Sequence, residues 1–199
     1  MIFLIRHGQT DFNAEGRLQG RLDSRLTELG MAQARRMAEQ LRPFVQDHEL
    51  TRVICSPSLR TRHTAQIVCD VLGFDGETAI EPRIAEVDVG HWEGVTREDL
   101  EREAPGVFGQ PGWLCQAPGG ESYEAMAQRL GAWLGEIDET DGQRRIVVSH
   151  GIAGRVVRHL YARTSTEQLW TAPSPPQDAV FRLYGGVGAV QSCSVEVRA

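Results

Sequence analysis

Three short segments of this chain carry residue types that can hold an anion and attack it. Arg6-His7-Gly8 follows the apolar run Met1 to Ile5. Ser56-Pro57-Ser58-Leu59-Arg60 follows the short stretch Arg52 to Cys55, and Ser149-His150-Gly151 follows the apolar run that begins at Arg144. Arginine offers planar, paired donors that match a carboxylate or a phosphate. A neutral imidazole is a nucleophile or a general base near neutral pH. Taken singly, each has a plain structural explanation: a histidine that satisfies a strand end, an arginine that solvates a helix start. Taken together, two arginines and two histidines in one crevice would repel one another strongly unless an anion sat among them. A cation in the first turn of a helix also opposes the macrodipole. A glycine directly after each histidine lets backbone approach a ligand, and a helix starting near Gly151 adds N–H donors for an anion. The set reads as a pocket for a dianion, and phosphate fits it.

Other chemistries lack their residues. All 21 cations among Lys and Arg are arginine, so any mechanism that needs a lysine is excluded, the P-loop included. The nearest approach to a nucleophile elbow, Gly120-Glu121-Ser122-Tyr123-Glu124, lacks the second glycine. No HExxH or comparable ligand cluster is present. GGVGAV from Gly185 is not a dinucleotide fingerprint. Cys55, Cys69, Cys115 and Cys193 form no CxxC, and reduced thiols of a cytoplasmic protein are expected. A net charge of −6 argues against nucleic acid and membrane surfaces as partners. No apolar run approaches the roughly 20 residues that span a bilayer, and Met1 to Ile5 is too short for a leader.

The elements that must position these residues alternate. Met1–Ile5, Arg52–Cys55, Glu77–Ile80 and Arg144–His150 read as strands. Helices are expected from a Thr27 cap to about Arg42, from Leu59 to Leu72 with Gly73 as stop, and near Arg97–Glu103. Two more are expected at about Ser122–Ile137 and Ile152–Tyr161. Residues from Ala179 onward read as a hairpin around GGVG. Alternation of this kind implies an α/β fold, a three-layer sandwich with a mostly parallel central sheet, in one domain over 1–199. Ligands of such sheets bind at the carboxyl ends of the strands, where all three segments lie. Residues 104–120 hold three prolines, several glycines and the apolar Phe108, Trp113 and Leu114. They read as a long, lid-like loop.

Set in order along the chain, these motifs resemble the histidine phosphatase superfamily, in its phosphoglycerate mutase-like branch. RHGQTDFNAEGRLQG is similar to the family's RHGxTxxN followed by RxQG; LTELGMAQA, SPSLRTRHTA, EVDVGHWEG and VSHG match its later segments. The resemblance covers nearly the whole chain. It implies that His7 is the nucleophile and becomes a phosphohistidine. Arg6, Arg60 and His150 would hold the phosphoryl oxygens, Asn13 and Gln19 would add polar contacts, and Glu86 would be the general acid. It implies no metal or other cofactor, and a small phosphomonoester as the partner. Gln9 departs from the Glu of many members, a change of polarity at the rim, and Arg25 departs from a common Pro. His48, His63, His91 and His159 carry no motif and read as surface or packing residues.

Within the family, the mutase branch resembles E-x-x-Y-G-x-L-x-G-x-x-K after the acid, with an Arg-Arg pair in a longer insertion. Here Val89 stands at the Tyr place and Arg97 at the Lys place, and residues 104–120 hold no such pair. A phosphatase is therefore the favoured reading, with a mutase acting on an acidic substrate as the alternative through Arg97. Phe108, Trp113, Leu114, Trp92 and Trp170 are either an apolar wall for the substrate or ordinary core. α-Ribazole phosphate and sugar phosphates are candidate substrates. A non-enzymatic phosphate-binding module would be expected to lose the nucleophile, an arginine or the acid, and this chain keeps all of them. A homodimer is left open.

Overall fold

The computed structural model describes residues 1–185 and 190–192. Among them six strands form one sheet: β1 (Ile2–Arg6), β2 (Thr51–Cys55), β3 (Thr78–Ile80), β4 (Arg144–Ser149), β5 (Val180–Leu183) and β6 (Val190–Ser192). Their order is β3-β2-β4-β1-β5-β6. The first four are parallel; β5 runs antiparallel to β1, and β6 antiparallel to β5. The pairing of β5 with β6 makes the expected hairpin, whose turn and Cys193 lie outside the described residues.

Central parallel strands are covered on both faces and read as continuous apolar runs. β1 shows why. Successive side chains point to opposite faces. Phe3 and Ile5 join Met37, Leu41, Val68 and Val148 on one side. Ile2 and Leu4 join Met126, Leu130, Val147 and Val157 on the other. The first side is covered by α2 (Glu28–Leu41) and α3 (Leu59–Leu72), the second by α5 (Tyr123–Gly135) and α6 (Gly151–Ala162). The expected three layers are therefore present.

Helix ends follow local chemistry. The Thr27 hydroxyl accepts from Gly30 N and starts α2, as expected. Ser122 does the same for α5 through Ala125 N. Gly73, with φ of 70°, stops α3 in the left-handed region that favours glycine. Two helices absent from the expected set are short: α1 (Asp11–Ala14) and α7 (Thr166–Thr171). Both carry capping boxes, Thr10 with Asn13 and Ser165 with Gln168. Their few residues hold too little periodicity to register, and the side-chain caps define them instead. α4 (Arg97–Glu103) lies where expected. Beyond it residues 104–120 are not bare loop, for Trp113–Gln116 form a turn of 3-10 helix. Gly106, Gly109 and Gly112 take positive φ. The ring of Phe108 lies 5.0 Å from that of Trp113, which lies 5.9 Å from that of Trp92.

Candidate active site

The strand order supplies the geometry. β4 lies between β2 and β1, so the three strands that end in Ser56, His7 and His150 are neighbours. The ladder continues one step beyond each strand: His7 N donates to Ser149 O at 3.1 Å, and Ser56 N donates to Val148 O at 3.1 Å. His7 and His150 meet edge to face, with ring centroids 5.3 Å apart. They are 3% and 2% exposed, so both are enclosed by protein.

His7 Nδ1 lies 2.7 Å from the Gly8 carbonyl oxygen. An N–H at Nδ1 donates there, which leaves the Nε2 lone pair free. Burial, then the charges of Arg6 and Arg60, hold the His7 imidazolium far below its usual range. The ring is therefore neutral at neutral pH, as a nucleophile must be. Burial and the charge of Arg60 do the same for His150. The His150 Nε2 lies 2.7 Å from Ser56 Oγ, while its Nδ1 is buried without a partner.

Arg60 is 1% exposed and organises the loop before it. It donates to Gly20 O at 2.7 Å and Leu22 O at 2.8 Å, and pairs with Asp23 at 3.1 Å. Glu93 holds the same loop from the other side, accepting from the N–H groups of Gly20, Arg21 and Leu22. The Nε of Arg60, like that of Arg6, is buried without a hydrogen-bond partner. Three of the five such atoms among the described residues thus belong to this cluster: Arg6 Nε, Arg60 Nε and His150 Nδ1. Buried donors are ordinarily paired, so three orphans in one place call for an acceptor.

Glu86 sits against the start of α6. Its carboxylate accepts from Ile152 N at 3.1 Å, Ala153 N at 2.8 Å and its neighbour Val87 N at 3.0 Å. A carboxylate at a helix N-terminus is favoured by the macrodipole. The helix N–H groups of Ile152 and Ala153, expected to face a bound anion, are taken by Glu86. Gly151 itself lines the cavity beside Arg6, whose guanidinium carbon would be in ordinary contact, 3.4 Å, with a Cβ there. Gly8 also has a different use from the one expected. A Cβ on Gly8 would lie 2.1 Å from Gly30 O, so it lets the α2 start pack directly on the segment that follows β1. Gln9 is not a rim group: its N–H donates to Gln33, and its side chain accepts from Thr27.

Asn13 and Gln19 both line the cavity. Asn13 Oδ1 accepts from Thr10 N and Gln177 Nε2, and its Nδ2 is uncommitted among the described residues. The Gln19 amide is fully used: it accepts from Thr10 Oγ1 and donates to Leu22 O and Ser24 Oγ. Gln19 therefore shapes the loop. Three residues that the sequence did not single out complete the frame. Ser56 orients His150. Gln177 donates to His7 O at 3.3 Å. Arg129 donates to the carbonyls of Arg83, Ala85 and Glu86, and pairs with Glu121, which fixes the acid loop. Ser56 lies inside a quoted motif, whereas Gln177 and Arg129 carry no local signal.

A cavity of about 580 Å³ opens in front of this cluster. Arg6, Glu86 and His150 are among its lining residues, and His7 and Arg60 are not. Phe108, Trp113, Leu114 and Trp170 form part of its wall, so the aromatic residues do enclose a space; Trp92 is core, packed behind Trp113. Among the described residues, no group of three or more His, Cys, Asp or Glu could hold a metal ion. No helix among them is long and apolar enough to cross a membrane.

Known proteins resemble this chain in sequence and in fold. A "Probable phosphoglycerate mutase GpmB" of Enterobacter sp. (strain 638) is 37% identical over 158 residues, covering 76% of this chain and 70% of that protein. The solved structure of Bacillus stearothermophilus YhfR superposes with a TM-score of 0.79 at 30% identity, over 98% of this chain and 95% of that one. A mycobacterial glucosyl-3-phosphoglycerate phosphatase, solved with VO3, gives a TM-score of 0.75 at 25% identity, over 90% and 88%. The sequence profile of the histidine phosphatase superfamily (branch 1) matches residues 2–184, and the chain belongs to that family.

Proposed function

We propose that this chain is a metal-independent phosphomonoesterase that works through a phosphohistidine on a small phosphorylated metabolite. The observation that carries the reading is the set of orphan donors, Arg6 Nε, Arg60 Nε and His150 Nδ1, around a neutral imidazole. A phosphoryl group gives all three an acceptor and places phosphorus before His7 Nε2. His7 Nε2 forms the N–P bond as the ester P–O bond breaks, and Glu86 gives its proton to the leaving oxygen. With Ser56 donating to His150 Nε2, the Nδ1–H of His150 and the two guanidinium groups stabilise the charge on the transferring oxygens. Water then attacks phosphorus, Glu86 takes its proton, the N–P bond breaks, and phosphate leaves. Arg97 lines the same cavity and the Enterobacter relative is named a probable phosphoglycerate mutase, so phosphoryl transfer to a second hydroxyl, with phospho-His7 shielded from water, is the alternative.

The test is hydrolysis of p-nitrophenyl phosphate in EDTA across pH, for the parent and His7→Ala. The expected result is chelator-resistant turnover that falls at least about 10³-fold in the variant. Equal turnover in both would remove His7 as nucleophile.

A further inference from the structure

The segment between α7 and β5 reaches the phosphoryl end from outside the sheet. Residues 172–178 read Ala-Pro-Ser-Pro-Pro-Gln-Asp. Both ends are pinned. Arg155 of α6 donates to Ala172 O at 2.9 Å and Ser174 Oγ at 3.2 Å, and Arg36 of α2 donates to the Asp178 carboxylate at 3.0 Å. Three prolines lock φ at their own positions and leave the segment few ways to bend. Ser174, Pro175 and Pro176 line the cavity. The next residue, Gln177, sends its Nε2 to two oxygens at once: His7 O at 3.3 Å and Asn13 Oδ1 at 3.1 Å.

These contacts carry a direction. The two ends of a side-chain amide are told apart by their partners. A backbone carbonyl only accepts, so the end of Gln177 that meets His7 O is its NH2. That same NH2 then meets Asn13, and an NH2 needs an acceptor, so the end of Asn13 that it meets is Oδ1. Thr10 N, a donor without alternative, meets Asn13 Oδ1 as well, at 3.3 Å. Two donors therefore fix the Asn13 amide. Turned by 180°, it would set its own N–H groups against both. The Thr10 contact is long, and alone it would hold the amide weakly. Asn13 itself lines the cavity, together with Arg6 and His150.

We propose that Gln177 is a positioning residue: by donating to Asn13 Oδ1 it keeps that amide turned so that Nδ2 is the end presented to a phosphoryl oxygen. Polarity set by the His7 carbonyl is thereby passed through two amides to the substrate. This rests on the phosphomonoesterase reading and adds to it a residue that acts only through Asn13.

The test is a double-variant cycle of parent, Gln177→Met, Asn13→Ala and the two combined. Methionine keeps the length and packing of glutamine and has no N–H to give. The readouts are kcat/KM for p-nitrophenyl phosphate and the inhibition constant of orthovanadate. Gln177→Met should lower kcat/KM about 5- to 20-fold and weaken vanadate by a similar factor. In the Asn13→Ala background the same substitution should change neither by more than about twofold, because the group it acts through is gone. The vanadate constant reads folded enzyme alone, so a smaller folded fraction leaves it unmoved. A parent-like vanadate constant in Gln177→Met overturns the proposal. So does an equal loss in both backgrounds, which would assign Gln177 to His7 O or to the segment itself. In either case, turnover that depends on His7 leaves the phosphomonoesterase reading standing. If p-nitrophenyl phosphate is not hydrolysed, calorimetric titration with inorganic phosphate runs the same cycle as binding, and equal affinity of the parent and Gln177→Met overturns the proposal.

Discussion

The two ends of the cavity are built differently. The phosphoryl end is made at the tips of three adjacent parallel strands, and its histidines are fixed by the ladder itself. Its polar side chains are nearly all buried, and each has one place to be. The outer end is made by residues 104–120, by α6 and by α7, from aromatic rings packed on one another and arginines that reach across. A rigid end suits a chemistry common to every phosphomonoester. A wall drawn from loops suits the part of the substrate that differs, since loop positions vary without disturbing the sheet.

The largest expected break in this contrast comes from Arg60→Ala. It removes a buried cation from the phosphoryl end and releases the carbonyls of Gly20 and Leu22. Steady-state assays should show kcat lower by about 10² to 10³-fold for every ester tried, since the lost group touches the shared chemistry.

Next is Gly8→Ala, which tests rigidity rather than chemistry. The new methyl would meet Gly30 O, a backbone atom that cannot swing aside. Denaturant titration should show a loss of about 3 kcal/mol or more, and thermal unfolding a Tm lower by about 6 to 12 °C. Unchanged stability would mean that the strand end and α2 are not locked together.

Acid should weaken the phosphoryl end first. His7 and His150 have folded pKa values well below the unfolded value of about 6.5. Below pH 6.5 the unfolded chain takes up protons that the folded site refuses. Stability contributed by the neutral pair is therefore full above that pH and is lost as pH falls below it. The slope between pH 6.5 and 5.5 should reach up to about 1.4 kcal/mol per pH unit for each histidine, read from denaturation midpoints. The double variant His7→Asn, His150→Asn should flatten it.

The smallest effect belongs to the wall. Trp113→Ala should raise KM a few-fold for apolar esters and leave kcat for small ones within about twofold, because Trp113 is an apolar lining residue whose ring packs on Phe108 and Trp92. A kcat loss as large as that of Arg60→Ala would erase the distinction between the two ends.

The same contrast explains what could be read from sequence. His7, Arg60 and His150 announce themselves because strand periodicity ends at them, and parallel strands bring their tips together whichever way the loops run. Glu86 was visible only as part of a family motif; its seat on the α6 N-terminus depends on Arg129, more than forty residues away along the chain. Gly8 is recognisable as a glycine with a purpose, but that purpose includes close packing against Gly30, which no local rule contains. Gln177 reaches His7 and Asn13 from a segment with no periodicity at all. Residues 104–120 read as a lid from their prolines and glycines, while the contact of Trp113 with Trp92 that ties them to the core is tertiary.

The most direct measurement is to trap the intermediate. Rapid acid-free quenching of the parent with a 32P-labelled phosphomonoester, followed by peptide mapping, should place an acid-labile, base-stable label on His7, and His7→Ala should carry none. Label on any other residue, or turnover with no label in the parent while Glu86→Gln also fails to accumulate it, would contradict the phosphohistidine route.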